Sequence, residues 1–187
     1  MRNRHWLATP QLIDPFPTNH IDLGGYCYAG SVRTISKRTQ YGLKAMLALG
    51  RRFGEGPVLI ATLAAEENIP VKFLEVILLD LKGHGLLESK KGKGGGYHLS
   101  RPPSTITLGS LIRMMEGPLA PLPCASETAF RPCEECTDVE ACGTRIIMRQ
   151  VRDAIADVLD RTTLADLLRQ TEVIRAAKRP EPVMYYI

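Results

Sequence analysis

The sequence predicts a mainly α-helical chain with a small β-wing: a winged helix-turn-helix domain plus a long C-terminal dimerisation helix. Three observations predict it. Two short segments with helical apolar spacing flank a tight turn, Asn68-Ile69-Pro70. A hairpin rich in glycine and lysine, Lys90-Lys91-Gly92-Lys93-Gly94-Gly95-Gly96, follows directly after them. Arg145 to Arg161 then carries an amphipathic pattern whose apolar side so small a domain has little core left to cover.

Taken in chain order, residues 1–33 have neither helical nor strand periodicity. Prolines at 10, 15 and 17 and glycines at 24, 25 and 30 interrupt each short apolar stretch. The segment, which holds Trp6 and Cys27, is left unassigned, as a disordered extension or as sequence upstream of an alternative start at Val32. A helix is predicted over 36–53, with Ser36 as N-cap and Tyr41, Ala45, Leu49 and Phe53 as its stripe. Gly54-Glu55-Gly56-Pro57 stops it. A short helix near 60–67 precedes the turn, and a third runs over 71–82 with Leu74, Ile77, Leu78 and Leu81 on its buried face. Strand-like pieces at 86–88 and 97–99 bracket the wing. A linking helix is predicted over 108–116, stopped by Gly117-Pro118. A Pro- and Cys-rich loop follows to residue 143, then the long helix with Ile147, Val151, Ile155, Val158 and Leu159 along one side, and a short helix from Thr163 to Arg169. The expected division is therefore 34–103 for the winged domain, 104–143 for the linking helix and cysteine loop, 144–170 for the dimerisation helices and 171–187 for a tail.

Composition narrows the function classes. The chain has 187 residues, 44% hydrophobic and 24% charged, which fits a globular protein of one domain with an appendage. No apolar run approaches the roughly 18 residues of a membrane helix, and Arg2 and Arg4 are followed by no apolar signal core. A cytoplasmic protein without membrane partners is expected. Net charge is +4, but residues 35–103 hold 11 Lys and Arg against 6 Asp and Glu, while residues 104–187 hold 10 against 12. The basic half suits a polyanion.

The wing concentrates that charge. Lys90, Lys91, Lys93 and Arg101 face no acid between 90 and 101. Glycines allow close backbone approach to a phosphate or a narrow groove, and lysines displace counterions. A nucleotide-binding loop is excluded by spacing and by the strand that follows the glycines. With a helix-turn-helix unit in front of it, the hairpin points to double-stranded DNA.

Several blocks together resemble the Rrf2 family of regulators. They are Ile35-Ser36-Lys37-Arg38-Thr39-Gln40-Tyr41-Gly42-Leu43, Lys93-Gly94-Gly95-Gly96-Tyr97-His98-Leu99-Ser100-Arg101-Pro102, Ile106-Thr107-Leu108-Gly109, Glu116-Gly117-Pro118, and Asp160-Arg161-Thr162-Thr163-Leu164-Ala165-Asp166-Leu167. The likeness spans about residues 35–170. It implies a dimeric winged-helix repressor or activator that binds a pseudo-palindromic DNA operator as a homodimer. It also implies base reading by the start of the third helix, here Pro70, Lys72, Phe73 and Glu75, and minor-groove insertion by the wing, here Lys91. Lysine replaces the arginine common at that wing position, and Pro70 and Lys72 replace small hydroxyl residues, so the base preference of relatives does not carry over. Phe73 reads equally as a core residue.

Four of the five cysteines, Cys124, Cys133, Cys136 and Cys142, fall within 19 residues. In a cytosolic setting such a cluster points to metal or redox chemistry. The resemblance implies an iron–sulfur cluster, of [2Fe-2S] or [4Fe-4S] type, held by Cys124, Cys136 and Cys142, with Cys133 as a fourth ligand or an alternative to Cys136. The positions where relatives supply a ligand from elsewhere are Gln40 and Arg145, a poor and an impossible donor. Zinc, or metal-free thiols, stay open as alternatives. Five acids between Glu127 and Glu140 disfavour bare thiolates and so favour a bound cation. Cys133-Glu134-Glu135-Cys136 lacks the strand-then-helix setting of a redox catalyst, so no enzyme is expected.

Overall fold

The computed structural model describes residues 35–134 and 136–177. Expectations for residues 1–33, including Cys27, and for 178–187 lie outside the described residues. The first helix, α1 (Lys37–Arg51), starts where Ser36 was expected to cap it: the Ser36 hydroxyl accepts the Thr39 N–H at 3.2 Å. It ends two residues before Phe53, which is exposed. The face that enters the core is Gly42, Ala45, Met46 and Leu49, so the buried stripe is rotated from the one read through Tyr41 and Phe53. The reason is Gly42, whose missing side chain admits Met115 from the linking helix.

The helix pair is as predicted. α2 (Ile60–Glu67) ends at Asn68 in the left-handed conformation (φ 52°), Ile69 turns inward, and Pro70 caps α3 (Val71–Gly83). Leu74, Ile77, Leu78 and Leu81 of α3 are all buried against α1 and α2. β1 (Leu87–Lys90) and β2 (Gly96–Leu99) pair antiparallel with Leu87 opposite Leu99 and Lys90 opposite Gly96. The strands thus reach further into the glycine run than predicted, and Lys90 is a strand residue. Sequence reading also missed a third strand contact. Val58, just before α2, exchanges two main-chain hydrogen bonds with Tyr97 at 2.8 and 2.9 Å.

α4 (Leu108–Glu116) is capped by Thr107 and closes the core with Leu111, Ile112 and Met115. Its last residue returns to the start of α1, where Glu116 accepts the Ser36 N–H at 2.8 Å. Hydrogen bonds from Ser36 and Thr39 hold its carboxyl below the usual carboxylate range. After the cysteine loop comes α5 (Gly143–Arg161), then α6 (Leu164–Ala177). α6 is longer than the predicted short helix, so residues 171–177 of the expected tail are helical. It also packs into the first half of the chain: Leu164 is fully buried in the main core, and Gly50 of α1 leaves room for Leu164 and Leu168.

α5 is fastened at one end. Two hydrogen bonds join Arg113 of α4 to Asp160, which keeps the Asp160 carboxyl below its usual range. Leu108 N–H donates to Thr162 O at 2.9 Å, and Leu164 N–H to Ile106 O at 2.8 Å. Along the rest of its 19 residues only Arg152 is buried, while Ile146, Ile147, Val151, Ile155 and Val158 are exposed. No helix among the described residues is long and apolar enough to cross a membrane.

Candidate nucleic-acid interface and cysteine loop

Pro70, Lys72, Phe73 and Glu75 stand together on the exposed side of the first turns of α3, beside Val71 and Val76. No acid lies in the first turn of α3, so the positive end of its dipole is left for an anion. Phe73 lies outside the buried core. Its ring meets Tyr41 edge-on at 5.7 Å, and 45% of the residue remains exposed.

Two sets stand out among the basic residues of this half. Arg38 pairs with Asp80, Arg51 with Glu67 and Arg52 with Glu66, which join α1 to α3 and α2. Lys72, Lys90, Lys91 and Lys93 are exposed and have no acid partner among the described residues. Lys82 at the end of α3 donates to the Ser89 hydroxyl at 2.7 Å, tying the base of the wing to that helix. The arrangement places an unpaired cationic hairpin beside an exposed helix start. Replacing Lys91 and Lys93 with Ala should weaken binding to every duplex and flatten the salt dependence by about two phosphate equivalents. Glu75→Ala should instead alter which sequence is preferred. Titrations of several duplexes at a series of salt concentrations check this, and unchanged slopes for the lysine variant would remove the wing from the interface.

The cysteine loop leaves α4 at Gly117 and reaches α5 at Cys142. Cys124 lies in a 3₁₀ turn (Pro123–Ala125) and is 4% exposed. Cys133 is exposed, with its Sγ 4.0 Å from Cys124 Sγ. Cys136 and Cys142 are half-buried, and the Cys136 N–H donates to Cys133 O at 3.3 Å. Burial pushes the Cys136 thiol up from its ordinary range, and the neighbouring Cys142 and Cys133 add to the effect. Cys133 is therefore the link: it touches Cys124 on one side and stands near Cys136 on the other. Among the described residues, no three Cys, His, Asp or Glu side chains are set ready to hold an ion.

The donor chemistry nonetheless fits a thiolate-bound metal group. Four thiols share one loop, Cys133 against Cys124 and Cys136 within electrostatic reach of Cys142 and Cys133, and an incoming cation would offset the burial and repulsion that push the Cys136 thiol up. Neither outside position competes. Gln40 is engaged with Ile35 O and Lys37 on α1, and Arg145 is a brace. Its guanidinium donates to Cys124 O at 3.0 Å and Val139 O at 3.4 Å and covers the Phe130 ring at 5.6 Å.

Sequence reading missed the second brace. Arg152, 8% exposed, donates to Ala125 O at 2.6 Å and pairs with Glu127 at 3.1 Å and with Asp153. Arg145, Arg149 and Arg152 recur at i, i+4 and i+7, a basic stripe opposite an acidic loop, and that spacing was the available signal. Together with Cys124 and Phe130 they line a cavity of about 240 Å³.

Comparison with known proteins agrees with this architecture. The profile of the Rrf2 family, described as an iron-dependent transcriptional regulator, matches residues 35–170. A putative HTH-type transcriptional regulator, rrf2-like, of Rhodobacter capsulatus is 38% identical over 137 residues, covering 72% of this chain and 91% of that protein. The HTH-type transcriptional regulator CymR of Bacillus subtilis is 35% identical over 153 residues, covering 82% and 99%. The solved structure of CymR, the global cysteine regulator of B. subtilis, superposes with a TM-score of 0.61 at 34% identity over 73% of this chain and 97% of that one. That of T. potens IscR gives 0.62 at 31% identity over 82% and 96%. These relatives are regulators rather than enzymes. The chain belongs to the Rrf2 family of DNA-binding transcriptional regulators.

Proposed function

We propose that this regulator binds a two-fold-related DNA operator as a homodimer and reads redox state, iron or nitric oxide through an iron–sulfur cluster held by its cysteine loop. One observation carries the reading: four thiols lie on a single loop, with Cys133 against Cys124, and two arginines fasten that loop to α5. Cys124, Cys136 and Cys142, with Cys133 beside them, would hold the cluster, which when bound supplies redox- and iron-dependent ligation of those thiols. The protein's own residues do the rest. Arg145 and Arg152 lock the Cys124 turn to α5, so a change in the loop is felt by the helix that sets the spacing of the two recognition helices. Start-of-α3 residues Pro70, Lys72, Phe73 and Glu75 read bases, while Lys90, Lys91 and Lys93 engage the backbone and minor groove.

Zinc is the second reading. The 4.0 Å separation of Cys124 and Cys133 is close to the roughly 3.8 Å edge of a thiolate tetrahedron with Zn–S near 2.3 Å. Anaerobic purification, a visible absorption spectrum and metal analysis decide between them. Coloured protein with iron and sulfide, lost on Cys124→Ala, Cys136→Ala or Cys142→Ala and weakened or altered by Cys133→Ala, is expected. Colourless protein with one zinc per chain overturns the cluster, and four alanines with unchanged metal content and DNA binding overturn the sensing role.

A further inference from the structure

We infer that Cys124 and Cys133 form a two-electron redox pair that closes into a disulfide when the loop holds no metal, with hydroperoxides as the oxidant class. The inference deepens the sensing role proposed above, because it assigns a chemical fate to the same loop after loss of the metal group. Two independent features of the fold place the pair. Their sulfurs lie 4.0 Å apart, at van der Waals contact, so a bond of about 2.05 Å needs an approach of about 2 Å. The intervening chain is already turned back on itself without help from sulfur. The Arg131 N–H donates to Pro123 O at 3.3 Å, and the Ala129 N–H donates to the Ser126 hydroxyl at 3.0 Å. Those bonds bring the residues flanking the two cysteines together, so the entropy of closing this short loop is largely spent before the thiols react.

The two cysteines differ in a way that assigns their parts. Cys133 is exposed, whereas Cys124 is buried in the turn braced by Arg145 and Arg152. The Cys133 sulfur attacks the distal oxygen of the hydroperoxide. An S–O bond forms, the O–O bond breaks, and the thiol proton leaves with the departing oxygen as an alcohol or water. The Cys124 sulfur then attacks the resulting sulfenic acid: the S–S bond forms, the S–O bond breaks, and hydroxide leaves as water with the Cys124 proton. In sum, two thiols and one hydroperoxide give one disulfide, one alcohol or water, and one water, the peroxide taking both electrons. Two of the four sulfurs then can no longer bind a metal. Disulfide and metal group exclude each other, and reloading requires prior reduction. Cys133, first read as a fourth ligand or an alternative to Cys136, thereby acquires a role of its own.

The experiment uses the full chain, purified anaerobically, freed of metal by chelation, given one equivalent of hydrogen peroxide, alkylated and digested without reduction. A protease that cuts after glutamate separates all four thiols, since Glu116, Glu127, Glu134, Glu135 and Glu140 place Cys124, Cys133, Cys136 and Cys142 in different fragments. The expected result is a cross-linked pair of fragments 117–127 and 128–134 in most of the oxidised protein. With Cys124→Ser the cross-link should vanish and a dimedone-reactive sulfenic acid should persist on Cys133. With Cys133→Ser, consumption of peroxide should slow at least tenfold. A predominant Cys136–Cys142 or Cys133–Cys136 link, a random mixture, or unreacted thiols would overturn the pair. The cluster proposal stands or falls separately, on the colour and metal content of the protein before chelation.

Discussion

Converting Val151 and Ile155 together to aspartate is expected to make the protein monomeric and to lower operator affinity by at least about 100-fold. The two residues lie one turn apart on α5 and are 37% and 38% exposed within a single chain. With Ile147 and Val158 they form an apolar stripe on a 19-residue helix that buries only Arg152 in its own chain. A helix so little covered is stabilised chiefly by a second surface, and the simplest one is the same stripe on another copy. Charges placed in such a seam cost roughly 3–5 kcal/mol, about two to nearly four decades in affinity. Two half-sites need two wings, so DNA binding should fall with association. Sedimentation and operator titration of the variant check both halves of this, with far-ultraviolet circular dichroism expected to match the parent. A parent protein that sediments as a monomer at micromolar concentration would refute the seam.

Gly96→Ala should cost about 2–4 kcal/mol of stability and abolish specific binding while the helices persist. Gly96 has φ +150°, where side chains are strained, and a Cβ there would lie 2.1 Å from Val58 O. That oxygen accepts the Tyr97 N–H, so relieving the clash breaks the bonds between Val58 and Tyr97 that anchor β2 to the start of α2. The wing would lose its fixed relation to α3, and with it the shared docking of helix and hairpin. Gly83→Ala is the control. Gly83 ends α3 with an ordinary φ, and a Cβ added there would meet nothing within 4 Å, so its replacement should be neutral or slightly stabilising. Thermal unfolding of the two variants, compared with duplex titration, separates wing anchoring from general glycine loss; equal behaviour of both would defeat the argument.

Much of this architecture is legible along the chain because it is local. The Ser36 cap, the Asn68-Ile69-Pro70 turn and the Leu74, Ile77, Leu78, Leu81 face depend on spacing over a few residues. The candidate DNA-contacting residues were legible for the same reason: exposed positions at the start of α3 and unpaired lysines on a hairpin follow from pattern and charge. The cysteine loop was legible only as a donor set. The family resemblance implied Cys124, Cys136 and Cys142 as the group, whereas the folded loop brings Cys133 against Cys124, since Arg131 and Pro123 are joined by a main-chain bond that no periodicity announces.

What the sequence by itself determined, then, is the order of elements and the cationic wing, through short-range propensity, caps and charge, and the family, through the resemblance of its ordered blocks. What only the tertiary structure decided is where distant segments meet. Gly42 admits Met115, Gly50 admits Leu164 and Leu168, Gly109 makes room for Asp160, and Gly96 accepts Val58 at main-chain distance. Each of these glycines looks like a weak helix or strand residue when read locally. Each is small because another part of the chain occupies the space its side chain would have filled. Arg152 follows the same rule from the opposite side: a charged residue on an otherwise exposed helix is buried because the carbonyl of Ala125 and the carboxylates of Glu127 and Asp153 replace the water it gives up.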